Sequence, residues 1–222
     1  FLNYVDDSRE GITDHFTENA FLSSFGGGIG GYWGDVRSSG TKTSKGSEST
    51  GAIPFMRVVD AEMLAFSQGV TRRGSYAGYL HISHPEIEEF LDVRKPTGGD
   101  TNRKCLNLHH GIVISESFME RINNAGKIDN YDDSWDLIDP HTRQVKRTVS
   151  ARALWVKLLQ NRMETGEPYL MFEDAVNAEI PSFQKKKGLE VHHSNLCSEI
   201  TLATDIERTA VCCLSSLNLE YY

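Results

Sequence analysis

Apolar residues recur along this chain at helical spacing in some windows and in short continuous runs in others, and that pattern predicts the elements. Ile12, Phe16, Ala20 and Phe25 mark the apolar side of a first helix, with Asp7 as its cap and Glu10 three residues on in capping-box position. Met56, Val59, Met63 and Phe66 stripe a second helix from about Ile53, with Pro54 tolerated in its first turn. Ser83-His84-Pro85-Glu86 caps a third, running to about Val93, and Ser115 starts a fourth through Ile122. Ser150 caps a fifth that carries Leu154, Trp155, Leu158, Leu159 and Met163 and ends near Gly166. Strands are predicted at Tyr32-Trp33 after a glycine run, from Tyr76 to Ile82, Leu106 to Ile114 and Pro168 to Phe172, and as an extended segment from Val191 to Ile200.

Between these elements, Arg37 to Gly51 is rich in Ser, Thr, Gly and Lys and reads as a mobile surface loop. Ser67 to Gly74 is a second, glycine-bounded loop, Lys95 to Gly99 a turn, and the polar stretch from Asn123 to Arg147 loops or a small hairpin. Strands alternating with helices imply an α/β fold with parallel strands. A closed eight-stranded barrel needs about 250 residues, and this chain has too few strands for one. No internal repeat is visible.

The chain has 222 residues, a hydrophobic share of 39% and a formal charge of −8, which suit a globular protein. The acidic balance argues against a nucleic-acid-coating surface, while leaving room for local basic loops that hold phosphates. No apolar run approaches membrane-helix length and Phe1 opens no signal peptide. Cys105, Cys197, Cys212 and Cys213 lack CxxC spacing and suggest reduced thiols in a cytoplasmic setting. A start on Phe1 and a stop on Tyr221-Tyr222 inside an apolar run read as an internal fragment.

Several motifs are set aside. Gly26-x-Gly28-x-x-Gly31 formally matches the dinucleotide fingerprint, but Tyr-Trp-Gly follows where that motif needs a helix. His109-His110 and His192-His193 are adjacent pairs whose rings should diverge on strands, and His81 and His84 suit a loop. Cys105 has no partner at ligand spacing, and Lys185-Lys186-Lys187 reads as a solvated loop. No metal site is assigned.

The chemistry concentrates in Ser194-Asn195-Leu196-Cys197-Ser198-Glu199-Ile200. In an extended backbone Asn195, Cys197 and Glu199 share one face, while Leu196 and Ile200 offer the other to a core. A thiol between an amide and a possible general base can present a reactive sulfur to a substrate. Composition alone favours the plainer account, a Cys packed as a small hydrophobe.

Ser-Asn-Leu-Cys-Ser-Glu-Ile resembles the finger loop of the large (alpha) subunit of class I ribonucleotide reductase. Fourteen residues on, Val211-Cys212-Cys213-Leu214-Ser215-Ser216-Leu217-Asn218-Leu219 resembles the same family's redox-cysteine strand. The likeness runs from Asp7-Ser8 through Ser67-Gln68-Gly69 and Thr165-Gly166 to Leu217. It implies the first half of a ten-stranded α/β barrel with its central finger loop: residues 1–80 an effector-specificity region with two loops, 81–190 half-barrel strands and helices, 191–222 the finger loop and redox-cysteine strand. The Asn-x-Cys-x-Glu pattern excludes the anaerobic class, and Asn-Leu-Cys favours class I over the cobalamin-dependent class.

The resemblance also implies roles. Cys197 matches the cysteine that becomes a thiyl radical, Glu199 the base toward the 3′-hydroxyl, and Asn195 the amide that binds the ribose. Cys212 matches one of two reducing cysteines; the second is expected just before Phe1, and Cys213 is expected to be structural. Gly27 and Gly28 are expected to let the main chain approach the substrate. Asp7, Ser8, Arg9 and Arg37 match an effector site for deoxynucleoside triphosphates or ATP, and Gln68 and Arg72 the second specificity loop. The family reduces ribonucleoside diphosphates to deoxyribonucleotides for DNA synthesis. It works as an alpha homodimer with a metal-containing, radical-generating beta subunit, and with thioredoxin or glutaredoxin as external reductant. No nucleic acid or membrane is implied. Three hypotheses follow: a piece of the catalytic subunit, inactive alone; a nucleotide-binding, dimerising fragment of a split reductase; or an unrelated protein with structural thiols.

Overall fold

The computed structural model describes residues 1–67, 72–125, 127 and 131–221. Gln68 therefore lies outside the described residues. Five strands form one parallel sheet in the order β1 (Leu2–Tyr4), β2 (Gly28–Tyr32), β3 (Ser75–His81), β4 (His109–Ile114), β7 (Tyr169–Phe172). The helical connections are α1 (Arg9–Ser24), α2 (Ala52–Ala65), α3 (Ile87–Leu91), α4 (Glu116–Ala125) and α5 (Ala151–Thr165). An antiparallel hairpin, β5 (Ser134–Ile138) with β6 (Val145–Ser150), fills the stretch between α4 and α5. Neighbours in sequence are neighbours in the sheet, the arrangement of a barrel wall built strand by strand.

The sheet separates two cores. On its outer face Ile29, Tyr76, Leu80, Ile112 and Ile114 pack with the helices, joined by Ile53, Met56 and Leu158. The inner face carries a smaller cluster of Tyr32, Ala77, Tyr79 and Val113, against which Tyr4, Tyr169 and Leu196 pack. Period-two alternation sends Gly28, Gly30 and Tyr32 of β2 inward with Ala77 and Tyr79 of β3. Both faces are covered, so the strands read as near-continuous apolar runs rather than as alternating ones.

Helix ends follow local chemistry and correct several expectations. The cap of α1 is Ser8, whose Oγ accepts the Gly11 amide; Asp7 turns away to pair with Arg37. Phe25 sits at the end of that helix, 89% exposed, and the buried positions are Ile12, His15, Asn19 and Ser23. Among the described residues no side chain caps α3, which stops at Leu91; Glu86 instead reaches across to accept the Ala52 amide at the start of α2. Ser150 caps α5 by accepting the Ala153 amide, and Gly166 ends it at φ 79, where glycine avoids the left-handed penalty. Leu159 and Met163 of α5 face solvent, as Phe66 partly does at the end of α2.

Other differences have tertiary causes. The glycine run does not lead into a strand; Gly28 to Tyr32 is the strand. β4 starts at His109, because the amides of Asn107 and Leu108 are taken by Asp60 Oδ1 of α2, at 2.8 and 2.9 Å. The loop after Arg37 has a buried base, with Ser38 and Thr41 bonded to Asp139. Short helices α6 (Glu173–Glu179) and α7 (Ser182–Lys186) escaped the periodicity, being too short and too polar to carry a stripe.

Candidate active site

The finger segment is not extended. From Asn195 to Ile200 the chain doubles back: the Asn195 amide donates to the Ile200 carbonyl at 3.2 Å, and the Ser198 amide to the Asn195 carbonyl at 3.3 Å. Ser198 adopts φ 65, in the left-handed region. The Asn195 carboxamide makes this turn, its Oδ1 accepting the amides of Glu199 and Ile200, each at 3.1 Å. A short amide side chain that captures amides further along favours a turn over a strand. The expected one-face alternation of Asn195, Cys197 and Glu199 is thereby corrected. Cys197 and Glu199 are exposed on the turn, while Asn195 is buried beneath it.

The sheet is shaped to receive this turn. A Cβ on Gly30 would lie 2.1 Å from the Ser194 carbonyl oxygen, and one on Gly28 would lie 2.8 Å from Leu196 Cδ2. Glycines are required here because the loop lies directly on the strand. Gly28 therefore faces Leu196, and Gly27 faces the Leu22 carbonyl and the Phe1 ring. His193 anchors the loop's entry, its ring Nε2 donating to the Gly30 carbonyl at 3.1 Å. Beyond it Tyr79 donates its hydroxyl to the Asn195 carbonyl at 2.7 Å. Tyr169 stands near both Cys197 and Glu199; burial raises its phenol's pKa, and the charges of Glu167, Cys197 and Glu199 add to the rise.

Cys212 is brought to the same end of the sheet. Ala210 pairs antiparallel with Leu2 through two backbone bonds, 2.9 and 3.0 Å, so the chain after it returns toward Phe1. The Phe1 amine donates to the Gly28 carbonyl at 2.8 Å. Burial depresses that amine's pKa, while Cys212 and Glu199 nearby oppose the shift. Residues 211–218 form no strand: beyond Ala210 they meet no paired edge within the described residues. Cys212 is half-buried and Cys213 exposed, so no packing holds Cys213 as a structural thiol.

A second set of residues lines a cleft of about 560 Å³ between the start of α1 and the loop after β2. Asp7, Ser8, Arg9 and Arg37 all line it, joined by Lys45 and Phe55, which the sequence did not single out. Arg37 Nε lies 2.9 Å from Asp7 Oδ2, and His141 Nδ1 lies 3.1 Å from the same oxygen. Asp139 ties the hairpin tip to this loop. Oδ2 accepts the Ser38 amide, the Ser38 hydroxyl and the Thr41 hydroxyl, and Oδ1 accepts from Thr142. Burial opposes ionisation of Asp139, yet the donors of Ser38, Thr142 and Thr41 hold its pKa well below the usual carboxylate range. Arg72 is exposed beside Gly26 and is not among the residues that line the cleft.

His109 and His110 do not diverge as expected. Their Nδ1 atoms reach the two oxygens of Glu167, at 2.5 and 3.1 Å, with Arg94 Nη1 3.3 Å from the carboxylate. His109 begins the strand, where its ring can swing back, and Glu167 lies between α5 and β7 at the sheet's end. Burial works against the Glu167 charge, but the two imidazoles and Arg94 hold it ionised far below its ordinary range. Among the described residues no group of three His, Cys, Asp or Glu side chains is arranged to hold a metal, and no helix is long and apolar enough to cross a membrane.

A parallel half-barrel whose inner face is cleared for a cysteine-bearing loop defines an α/β-barrel domain. More particularly, the chain belongs to the ribonucleotide reductase barrel-domain family, whose model matches residues 1–222. It is 50% identical over its full length to the putative ribonucleoside-diphosphate reductase large subunit of Frog virus 3, covering 37% of that protein. It is 47% identical over 197 residues to the ribonucleoside-diphosphate reductase large subunit of Invertebrate iridescent virus 6, covering 89% of this chain and 20% of that one. Among solved structures it matches the Actinobacillus ureae class Id ribonucleotide reductase alpha subunit with a TM-score of 0.74 at 33% identity, over 99% of this chain and 35% of that one. The chain thus spans between a fifth and two fifths of these relatives.

Proposed function

We propose that this chain supplies the radical-bearing half of the site at which a ribonucleotide reductase converts ribonucleoside diphosphates to 2′-deoxyribonucleoside diphosphates. The observation that carries the reading is that Cys212 and Glu199 both come near the Phe1 amine, which is bonded to Gly28, the glycine on which Leu196 of the finger turn sits. A thiyl radical at Cys197, generated by a metal-containing partner subunit, takes the 3′-hydrogen, so S–H forms as C3′–H breaks. Glu199 accepts the 3′-hydroxyl proton while one of the two reducing thiols protonates the 2′-hydroxyl, which leaves as water, and the other supplies the hydrogen that takes its place on C2′. Cys212 and a second cysteine deliver two electrons and end as a disulfide, and the hydrogen returns from Cys197 to C3′. The Asn195 side-chain carbonyl is committed to the turn, which leaves its NH₂ group for the ribose.

The cleft at Asp7, Ser8, Arg9 and Arg37 is the proposed effector site for a deoxynucleoside triphosphate or ATP, with Gln68 and Arg72 carrying its signal toward the substrate. Arg37 offers fixed donors to phosphate oxygens. A second reading, a nucleotide-binding and dimerising fragment of a split reductase, is favoured by one observation: this chain builds the cleft's lining by itself. Assaying the full-length subunit with its radical-generating partner and dithiol separates the two. Cys197→Ser should abolish deoxynucleotide formation and leave triphosphate binding intact; retained turnover excludes the thiyl assignment. Binding by this 222-residue piece without turnover in any combination supports the second reading.

A further inference from the structure

We propose that Tyr79 is a positioning residue for Cys197, its hydroxyl setting the turn on which the thiol and Glu199 are displayed. The proposal rests on the reductase reading above and adds to it a residue from the sheet rather than from the loop. Tyr79 lies in the middle of β3, points to the inner face and is fully buried. Its ring is fixed from the next strand: a Cβ on Gly111 would fall 2.4 Å from Tyr79 Cε1, so only glycine there accommodates the phenol. A hydroxyl held this firmly is a fixed point, and the loop is hung from it.

The bond goes to one particular atom. The Asn195 carbonyl oxygen accepts from Tyr79 at 2.7 Å and from the Ser198 amide at 3.3 Å, the latter closing the turn. Cys197 is one of the two residues, with Leu196, between that carbonyl and that amide. The side chains of Ser194 and Ser198 also lie near the phenol and oppose the rise that burial gives its pKa. The other sheet-to-loop hydrogen bond named above, His193 to the Gly30 carbonyl, fixes the loop's entry, and Leu196 seats the turn on Gly28 without a directional bond. Without the phenolic oxygen, the buried Asn195 carbonyl keeps only the longer bond, and Ser198 loses one constraint on its left-handed backbone. Misplacing a reacting atom by about 1 Å costs on the order of 100-fold in rate.

The test uses the full-length subunit with its partner and a ribonucleoside diphosphate. Tyr79→Phe keeps the ring and removes only the oxygen. The expected result is a fall in kcat of about tenfold or more, KM for the diphosphate within about twofold, and a little-changed melting temperature. Amide exchange at Ser198, Glu199 and Ile200 and alkylation of Cys197 by iodoacetamide should both quicken, and neither readout depends on turnover. Unchanged kcat, or unchanged exchange across those three amides, overturns the proposal while the reductase reading stands. Faster exchange and alkylation in a protein whose parent shows no turnover keeps Tyr79 as the loop's anchor and removes the reductase reading.

Discussion

The guanidinium of Arg37 clasps the carboxylate of Asp7: Nε lies 3.0 Å from Oδ1 and 2.9 Å from Oδ2, and Nη2 donates to the Asp7 carbonyl at 3.2 Å. Asp7 is thus withdrawn from capping α1 and spent on orienting an arginine over the cleft. Arg37→Lys keeps the charge but cannot reproduce this fork. It should weaken binding of deoxyadenosine triphosphate to the full-length subunit by about tenfold, read by equilibrium dialysis. Unchanged affinity would place the effector elsewhere.

Asp139 gathers donors from two segments that are far apart in sequence. Asp139→Ala strands the Ser38 amide and hydroxyl in a buried site. A loss of about 3 kcal/mol is expected in urea unfolding, together with weaker triphosphate binding, because the loop holding Arg37 loses its anchor. A loss below about 0.5 kcal/mol would mean that the contacts are dispensable.

Gly30→Ala places a methyl carbon on the Ser194 carbonyl, 2.1 Å away with nothing moved. The loop has to lift, at a cost of about 1–3 kcal/mol. Turnover should be lost and exchange should quicken from His193 to Ile200. Full activity in this variant would show that the loop does not lie on β2.

Three buried imidazoles give stability a definite pH dependence. Burial pushes His15 and His193 down to about 3 and His84 to about 4. His84 is also fixed as the neutral form, Nε2 donating to the Val36 carbonyl and Nδ1 accepting the Glu86 amide. Below the unfolded value near 6.5 the unfolded chain binds more protons than the folded one, so stability is complete above that pH and drains as pH falls toward 4. At pH 5 each histidine should cost about 2 kcal/mol. The melting temperature of the full-length subunit should fall between pH 7 and 5, with a shallower slope in His84→Gln; an equal slope would remove His84 from the account.

Some of this was legible before any coordinates. Ser150 and Gly166 bracket α5 because capping hydroxyls and left-handed glycines act locally, and the Ser/Thr/Gly stretch after Arg37 announced a loop for the same reason. The finger conformation was misread because Asn195, Cys197 and Glu199 alternate as a strand would, while the competing capture of two amides by Asn195 Oδ1 is equally local but depends on a sheet to press the turn against. Tyr79 carried only the weak signal of being an aromatic two residues after Ala77 in a strand. Its bond spans 116 residues of sequence. Asp139 is masked in the same way, as an ordinary turn aspartate before Pro140.

What the sequence determined by itself was the inventory: which stretches coil, which pair, and that a thiol, an amide and a carboxylate sit within five residues of one another. Only the tertiary structure decided which way they point. Side-chain direction on a turn is set by whichever distant groups reach its carbonyls and amides, and here those groups arrive from β2 and β3, brought alongside by burial of the sheet rather than by any preference of the loop.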